Sequence, residues 1–256
     1  MITIKTPQEI MTLKEGGKHL AFVLSLLTKE VKPGVSTSYL NDVAIREIGK
    51  LGDKPAFLNY TPYGAKRPYP AAICISVNDE IIHGIPNENS KILKEGDIVS
   101  LDLGIVHNGL ITDSAVTVPV GKVDESAKKL LKVTSAALLA GIKAAKGGGF
   151  VGDIGAEIEK HAKKAGFGIA EELCGHGVGY SVHEDPYVPN FGKKGQGPKL
   201  KPGMVIAIEP MFNEGTGKTK IDKDGYTFRT ADGKRSAHFE HTIVITDGKP
   251  EILTVI

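Results

Sequence analysis

Cysteine is scarce in this chain: its 256 residues include two, Cys74 and Cys174, a hundred positions apart. Such a pair forms no disulfide framework and fits a reducing cytoplasm. The amino terminus, Met1-Ile-Thr-Ile-Lys-Thr6, lacks the basic stretch, apolar run and small-residue cleavage site of a secretory signal. Long hydrophobic runs are missing too. The most apolar early stretch, Leu20 to Leu27, is interrupted by Ser25 and is far too short to span a bilayer, so no membrane partner is expected. Neither sign of charge is in excess: 32 Lys and Arg against 30 Asp and Glu leave +2, which gives no reason to expect nucleic acid. Low-complexity sequence is limited to Gly147-Gly148-Gly149, and no Pro/Ser-rich linker divides the chain. What remains, 41% hydrophobic and 24% charged, is the composition of an ordinary globular protein long enough to bury a substantial core.

Within that composition one pattern recurs. Leu93-Lys-Glu-Gly-Asp-Ile-Val-Ser-Leu-Asp102 reappears loosely as Leu200-Lys-Pro-Gly-Met-Val-Ile-Ala-Ile-Glu209. Both copies turn at a glycine, run through a short apolar strand and end on a carboxylate. The surrounding order repeats as well. Thr6-Pro7-Gln8-Glu9 is a capping box with proline at the first helical position, and Pro33-Gly34 ends the helix it starts. A second helix is predicted from Ser38 to Leu51, then strands at 72–77, 97–103 and 110–118. Helices at 125–145 and 153–165 follow, then strands at 204–208 and 239–245. Two helices then strands, twice over, predicts a single α/β domain over residues 1–256, with pseudo-symmetric halves of about 1–120 and 121–256.

The carboxylates carry the chemistry. Asp102 ends a strand, and Asp113 lies eleven residues on, past Asn108-Gly109, a strong hairpin signal. Folding there brings the two aspartates onto neighbouring strands. Glu209 follows five apolar residues and precedes Pro210-Met211-Phe212, and Glu240 opens another apolar strand. Four converging carboxylates repel one another unless cations balance them, and two divalent ions supply equal charge. Oxygen ligands suit Mn²⁺, Fe²⁺, Co²⁺ or Mg²⁺, and one imidazole shifts the preference toward transition metals. His176, in Cys174-Gly-His-Gly-Val-Gly179, is expected on a tight glycine loop as that imidazole. His83 and His183 are expected at the site, with roles that spacing does not define. His183-Glu184 opens like a zincin motif, but Pro186 and Tyr187 break it. Glu157 and His161 share a helix face that reads as charged and solvated, without a matching partner.

Cys174-Gly-His-Gly-Val-Gly179, Asn78-Asp-Glu-Ile-Ile-His-Gly-Ile-Pro86, Ser100-Leu-Asp-Leu-Gly104, Ala207-Ile-Glu-Pro210 and Phe239-Glu-His-Thr242 together resemble type I methionine aminopeptidase. The resemblance covers nearly the whole chain. It implies the pita-bread fold, α+β, with two αβ halves and a central antiparallel sheet around a dinuclear metal site. It implies that Asp102 and Asp113 hold one ion, that His176 and Glu209 hold the other with Asp113, and that Asp113 and Glu240 bridge them. The ions would be cobalt, manganese or iron, with a bridging hydroxide as nucleophile. Glu209 would also move a proton, and His83 and His183 would steady the substrate. Tyr60, Tyr69, Cys74, Val182 and Tyr226 would wall the methionine pocket. Val182 and Tyr226 replace bulkier aromatics common there, and the stretch Asn59 to Pro70 looks longer than in compact bacterial members. Asn78 and Ser236 could serve a monovalent cation. The resemblance further implies a cytoplasmic monomer acting on N-terminal methionine in peptides and nascent chains. Lys193, Lys194, Lys199 and Lys201 could give it transient contact with the ribosome. The competing readings are an aminopeptidase P or prolidase-like enzyme and a non-catalytic pita-bread binding protein.

Overall fold

The computed structural model describes residues 1–256. Helix α1 spans Pro7–Glu30: the Thr6 hydroxyl accepts from Glu9 N–H while the Glu9 carboxylate accepts from Thr6 N–H, and such a cap contributes about 1 kcal/mol. α2 (Thr37–Lys50) starts on a Ser36 cap and stops before Gly52, whose φ of 78° only glycine adopts without strain. Strands β1 (Lys54–Pro55), β2 (Cys74–Val77), β3 (Glu80–Ile82), β4 (Ile98–His107) and β5 (Leu110–Pro119) complete the first half. The second half opens with α3 (Glu125–Ala144) and α4 (Val151–Ala165). There follow β6 (Gly168–Ile169), β7 (Cys174–Gly177), β8 (Glu184–Pro189), β9 (Val205–Ile208) and β10 (Met211–Asn213). The chain then forms β11 (Thr219–Ile221), β12 (Phe228–Thr230), β13 (Ser236–His238), β14 (His241–Val244) and β15 (Glu251–Ile252).

Every strand pairing is antiparallel. The strands are distributed over four sheets. One is β1-β4-β2 with β5 added to β4, another is β15-β14-β9-β7-β8, and two three-stranded sheets, β13-β10-β6 and β11-β12-β3, flank them. Each half builds its own core. In the first, Leu20, Leu24 and Leu27 of α1 and Leu40 and Ile48 of α2 pack on Ile75, Val99 and Leu101 of the sheet. In the second, Leu130 and Leu138 of α3 and Ile154 and Ile158 of α4 pack on Ile206, Ile208 and Ile243. Full burial of each such side chain is worth about 1.5–3 kcal/mol. The repeat seen in the sequence is structural: Leu93 and Leu200 are both buried, and Gly96 and Gly203 both turn at positive φ, 92° and 85°.

The two sheets meet along β5 and β14. Thr242 Oγ1 accepts from Asp113 N–H at 2.9 Å and donates to the Asp113 carbonyl at 2.7 Å. One step along, Glu240 N–H donates to the Ala115 carbonyl at 2.9 Å. This seam between the halves is where the acidic residues collect.

Candidate metal centre

Two local rules place the first pair of carboxylates. Asn108 and Gly109 both take positive φ, 48° and 82°, which closes a two-residue hairpin with His107 paired to Leu110. That register sets Asp113 opposite Gly104 and Asp102 opposite Ala115, so the aspartates lie diagonally on one sheet face. Asp102 is buried, so its carboxylate faces the interior of the protein and not solvent. The second pair comes from β9 and β14. Ile208 pairs with His241, so the next step of the same register puts Glu209 beside Glu240 where both strands leave the sheet.

His176 is the point where the sequence reading needs correcting. It lies on strand β7, not on a loop. The glycines around it serve close packing: a Cβ on Gly175 would lie 2.3 Å from the Ala207 carbonyl oxygen, and one on Gly177 would lie 2.1 Å from that of Asp185. Gly-x-Gly here permits two neighbouring backbones to press against the histidine strand.

The resulting cluster is dry and short of partners. Asp113, His176 and Glu240 each offer a ligand atom within 4.8 Å of the others, and all three are buried. His176 Nε2 lies 3.5 Å from Glu209 Oε1. Oδ1 of Asp113 and Oε1 of Glu240 are buried with no hydrogen-bond partner. Burial, reinforced by the Glu209 charge, pushes the Asp113 carboxyl up to about 8. Burial likewise pushes Glu209 up to about 8. Asp102 and Glu240 are held well above the usual carboxylate range, first by burial and then by the neighbouring acids. Left alone, these groups cannot all ionise; cations among them would remove the conflict.

The imidazole suits the same purpose. Burial lowers His176 to about 3, so the ring is neutral. Its Nδ1 lies 3.0 Å from the Gly177 carbonyl and donates there, which leaves the Nε2 lone pair facing the acids. Four carboxylates and one imidazole with orphaned oxygens therefore fit divalent metal ions, with the nitrogen favouring a transition metal.

These groups form the floor of a cavity of about 580 Å³. All five pocket residues expected from the sequence, Tyr60, Tyr69, Cys74, Val182 and Tyr226, line it, together with His83 and His183. Tyr69 is fixed by donating its hydroxyl to the Gly84 carbonyl at 2.8 Å, and its ring meets Tyr226 edge-on at 5.2 Å. The Tyr60 hydroxyl sits 2.9 Å from His183 Nδ1, and the His183 ring meets His176 edge-on at 4.5 Å. Burial, with His183 and His238 nearby, lowers His83 to about 3, so it too is neutral. Pro62 and Tyr63, from the stretch 59–70, reach the cavity rim.

Sequence reasoning missed three residues around the centre. His238 Nε2 lies 3.4 Å from Glu209 Oε2, and burial keeps its ring neutral, at about 3. The Asn190 amide donates to the Glu209 carbonyl at 3.0 Å. Thr242 clamps Asp113 as described above. His238 stands two positions before Glu240, the spacing that puts strand side chains on one face, and that was a readable signal. Asn190 and Thr242 had none. Asn78 and Ser236 lie together, with Ser236 N–H donating to the Asn78 carbonyl at 2.8 Å, but they do not line the cavity. The Asn78 side chain is engaged by Asp97 and by Ile98 N–H. Glu157 and His161 stay outside, with Glu157 paired to Lys160 and Lys194 at the surface.

Residues 12–247 match the pattern of metallopeptidase family M24. The chain is 47% identical to the methionine aminopeptidase of Aquifex aeolicus, over 99% of this chain and 98% of that one. It is 44% identical to methionine aminopeptidase 1 of Bacillus subtilis, over 99% of each. Among solved structures, that of the methionine aminopeptidase from Thermotoga maritima superposes with a TM-score of 0.94 at 44% identity over the whole of both chains. A prolidase from Pyrococcus furiosus shares the fold, with a TM-score of 0.78 at 22% identity, and this chain spans 65% of its length. The pita-bread fold, the acid-lined floor and near-half identity over the full length converge: this chain belongs to metallopeptidase family M24, among the methionine aminopeptidases.

Proposed function

We propose that this chain hydrolyses the peptide bond after an N-terminal methionine, in peptides and nascent proteins, as one catalytic domain over residues 1–256. The observation that carries the reading is the junction of two environments in one cavity. Four acids and His176 form its floor, and an apolar wall of Tyr69, Cys74, Val182 and Tyr226 stands beside them. Asp102 and Asp113 would hold one divalent ion; His176 and Glu209, with Asp113, the other; Asp113 and Glu240 would touch both. When bound, the ions supply Lewis acidity toward the scissile carbonyl and acidify water enough to provide a nucleophile near neutral pH. Manganese, iron and cobalt all suit this donor set.

The remaining work falls to side chains. Glu209 stands between the acids and two neutral histidines, His176 at 3.5 Å and His238 at 3.4 Å, a position from which its carboxylate takes up and releases a proton. His183, with Nδ1 turned to the Tyr60 hydroxyl, has its other ring nitrogen free for the substrate, and His83 lines the same cavity. Both are positioned to hold a peptide carbonyl as negative charge develops on it. The pocket wall accepts an unbranched thioether side chain, for which polarisable contact with Cys74 and the aromatic rings is favourable.

We extend the proposal to a cytoplasmic monomer that meets nascent chains at the ribosome, with the exposed lysines 193, 194, 199 and 201 as the contact. A monovalent cation near Asn78 and Ser236 would have to use main-chain carbonyls, because the Asn78 side chain is already engaged. Glu209→Gln tests the central reading. The variant is expected to keep the circular dichroism of the parent and to lose methionine release from Met-Ala-Ser in metal-replete buffer. Turnover at the parent rate would overturn the role given to Glu209.

A further inference from the structure

A second constellation of metal-ligating side chains lies away from the catalytic cavity. His19, in the middle of α1, and His107, at the end of β4, both direct Nδ1 at one carboxylate. His19 Nδ1 is 2.8 Å from Asp53 Oδ2 and His107 Nδ1 is 2.7 Å from Asp53 Oδ1. The rings stand perpendicular, centroids 5.0 Å apart, and one ligand atom from each of the three residues lies within 4.8 Å of the others. None of the three lines the catalytic cavity.

The backbone is arranged to permit this meeting. Gly16 lies three positions before His19 on α1, and a Cβ there would sit 2.8 Å from the His107 Cβ, so only glycine lets the helix approach the hairpin this closely. Gly52, at φ 78°, turns the chain after α2 and delivers Asp53 into the crevice. The Asp53 side chain is 3% exposed and that of His107 10%, whereas His19 keeps 26% and forms the open side.

Asp53 is shared between the two imidazoles, one ring Nδ1 on each carboxylate oxygen. On its far side, His107 Nε2 lies 3.1 Å from the Asn108 amide nitrogen and 3.4 Å from Glu15 Oε2. A divalent cation seated between the two Nδ1 atoms and Asp53 would take both ring lone pairs, and His107 Nε2–H would then turn to Glu15, the carboxylate–histidine–metal arrangement that fixes the ring tautomer.

We infer that His19, Asp53 and His107 form a second metal site, separate from the catalytic centre, for a zinc-class divalent ion. Two imidazoles and one carboxylate are a donor set that Zn²⁺ favours over Mg²⁺ or Ca²⁺, with the fourth position open to water beside His19. The ion would tie α1 to the turn after α2 and to the β4–β5 hairpin, three segments far apart in sequence.

The test is stoichiometry. Parent protein and His19→Gln, both stripped of metal, are titrated with Zn²⁺ against a chromophoric chelator and followed by thermal melts. The parent is expected to bind one more equivalent than the variant and to gain a correspondingly larger rise in Tm. Methionine release in Mn²⁺ is expected to match in the two proteins, because His19 lies outside the catalytic machinery. His107→Gln is expected to lose the same equivalent. Since that ring is buried and its replacement can unfold the hairpin, the half-open His19 position decides. Equal stoichiometry in parent and His19→Gln overturns the inference, and a variant that merely melts lower with unchanged stoichiometry does so equally, leaving a hydrogen-bonded trio that pins α1.

Discussion

Removing the divalent ions is expected to destabilise this protein, and to do so more strongly as pH rises. The four acids are buried, with Asp113 Oδ1 and Glu240 Oε1 lacking any partner. Without metal, burial raises Asp113 from 3.8 to about 8 and Glu209 from 4.5 to about 8. A carboxyl whose folded pKa is raised stabilises the fold below its unfolded pKa. That contribution is lost as pH climbs toward the folded value, so the metal-free protein weakens from about pH 4 to about pH 8. Bound ions reverse this, since a ligand that binds only the native state adds about 2.7 kcal/mol at a hundred times its Kd. A protein of this size shifts by about 2–4 °C per kcal/mol, so two ions are worth about 10–20 °C. Calorimetry of chelated and Mn²⁺-loaded protein at pH 5.5 and pH 8 measures the gap directly, and it is expected to widen with pH. Asp113→Asn supplies the control. Its chelated form is expected to melt above the chelated parent at pH 8, having one fewer buried charge, while gaining little from Mn²⁺. Identical melts with and without metal at both pH values would refute the reasoning.

Further outcomes follow from single contacts. Glu209→Gln is expected to lower kcat for Met-Ala-Ser by about 10²–10⁴-fold, the range for losing a positioned proton carrier, while the melting profile of the chelated protein stays cooperative. Gly177→Ala drives a Cβ to 2.1 Å from the Asp185 carbonyl oxygen, and overpacking of that kind costs about 1–3 kcal/mol, visible as a lowered urea midpoint together with weaker metal binding at His176. Tyr226→Ala opens the pocket wall against Tyr69 and is expected to raise KM for methionyl substrates by about 10–200-fold while admitting bulkier first residues, read from a peptide panel.

How much of this was legible beforehand depends on whether the cause was local. Thr6-Pro7 started α1 and Asn108-Gly109 turned the β4–β5 hairpin because both act within four residues. The placing of Asp102 and Asp113 on one face of neighbouring strands followed from that turn alone. Glu209 and Glu240 read as buried acids, but their meeting depends on the β9–β14 register, which thirty intervening residues leave undefined. The strand identity of His176 was hidden for a related reason. Its glycines answer to the backbones of Ala207 and Asp185, and in the sequence alone they mimic a loop. The pocket wall draws Tyr60, Tyr69, Cys74, Val182 and Tyr226 from distant segments, so it came from the family resemblance and not from spacing. His238 carried a period-two signal with Glu240 that went unused, whereas Thr242 and Asn190 act through backbone contacts that leave no pattern.

The central claim is that an acid-and-histidine floor next to an apolar wall makes this chain a methionine-specific, metal-dependent aminopeptidase. The most direct measurement is release of the first residue from Met-Ala-Ser, Leu-Ala-Ser and an X-Pro peptide, after chelation and after return of Mn²⁺, Fe²⁺ or Co²⁺ one at a time. Methionine released from the first peptide only, lost on chelation and restored by at least one metal, is the expected result. Release unaffected by chelation, preference for the X-Pro peptide, or no release with any metal would contradict it.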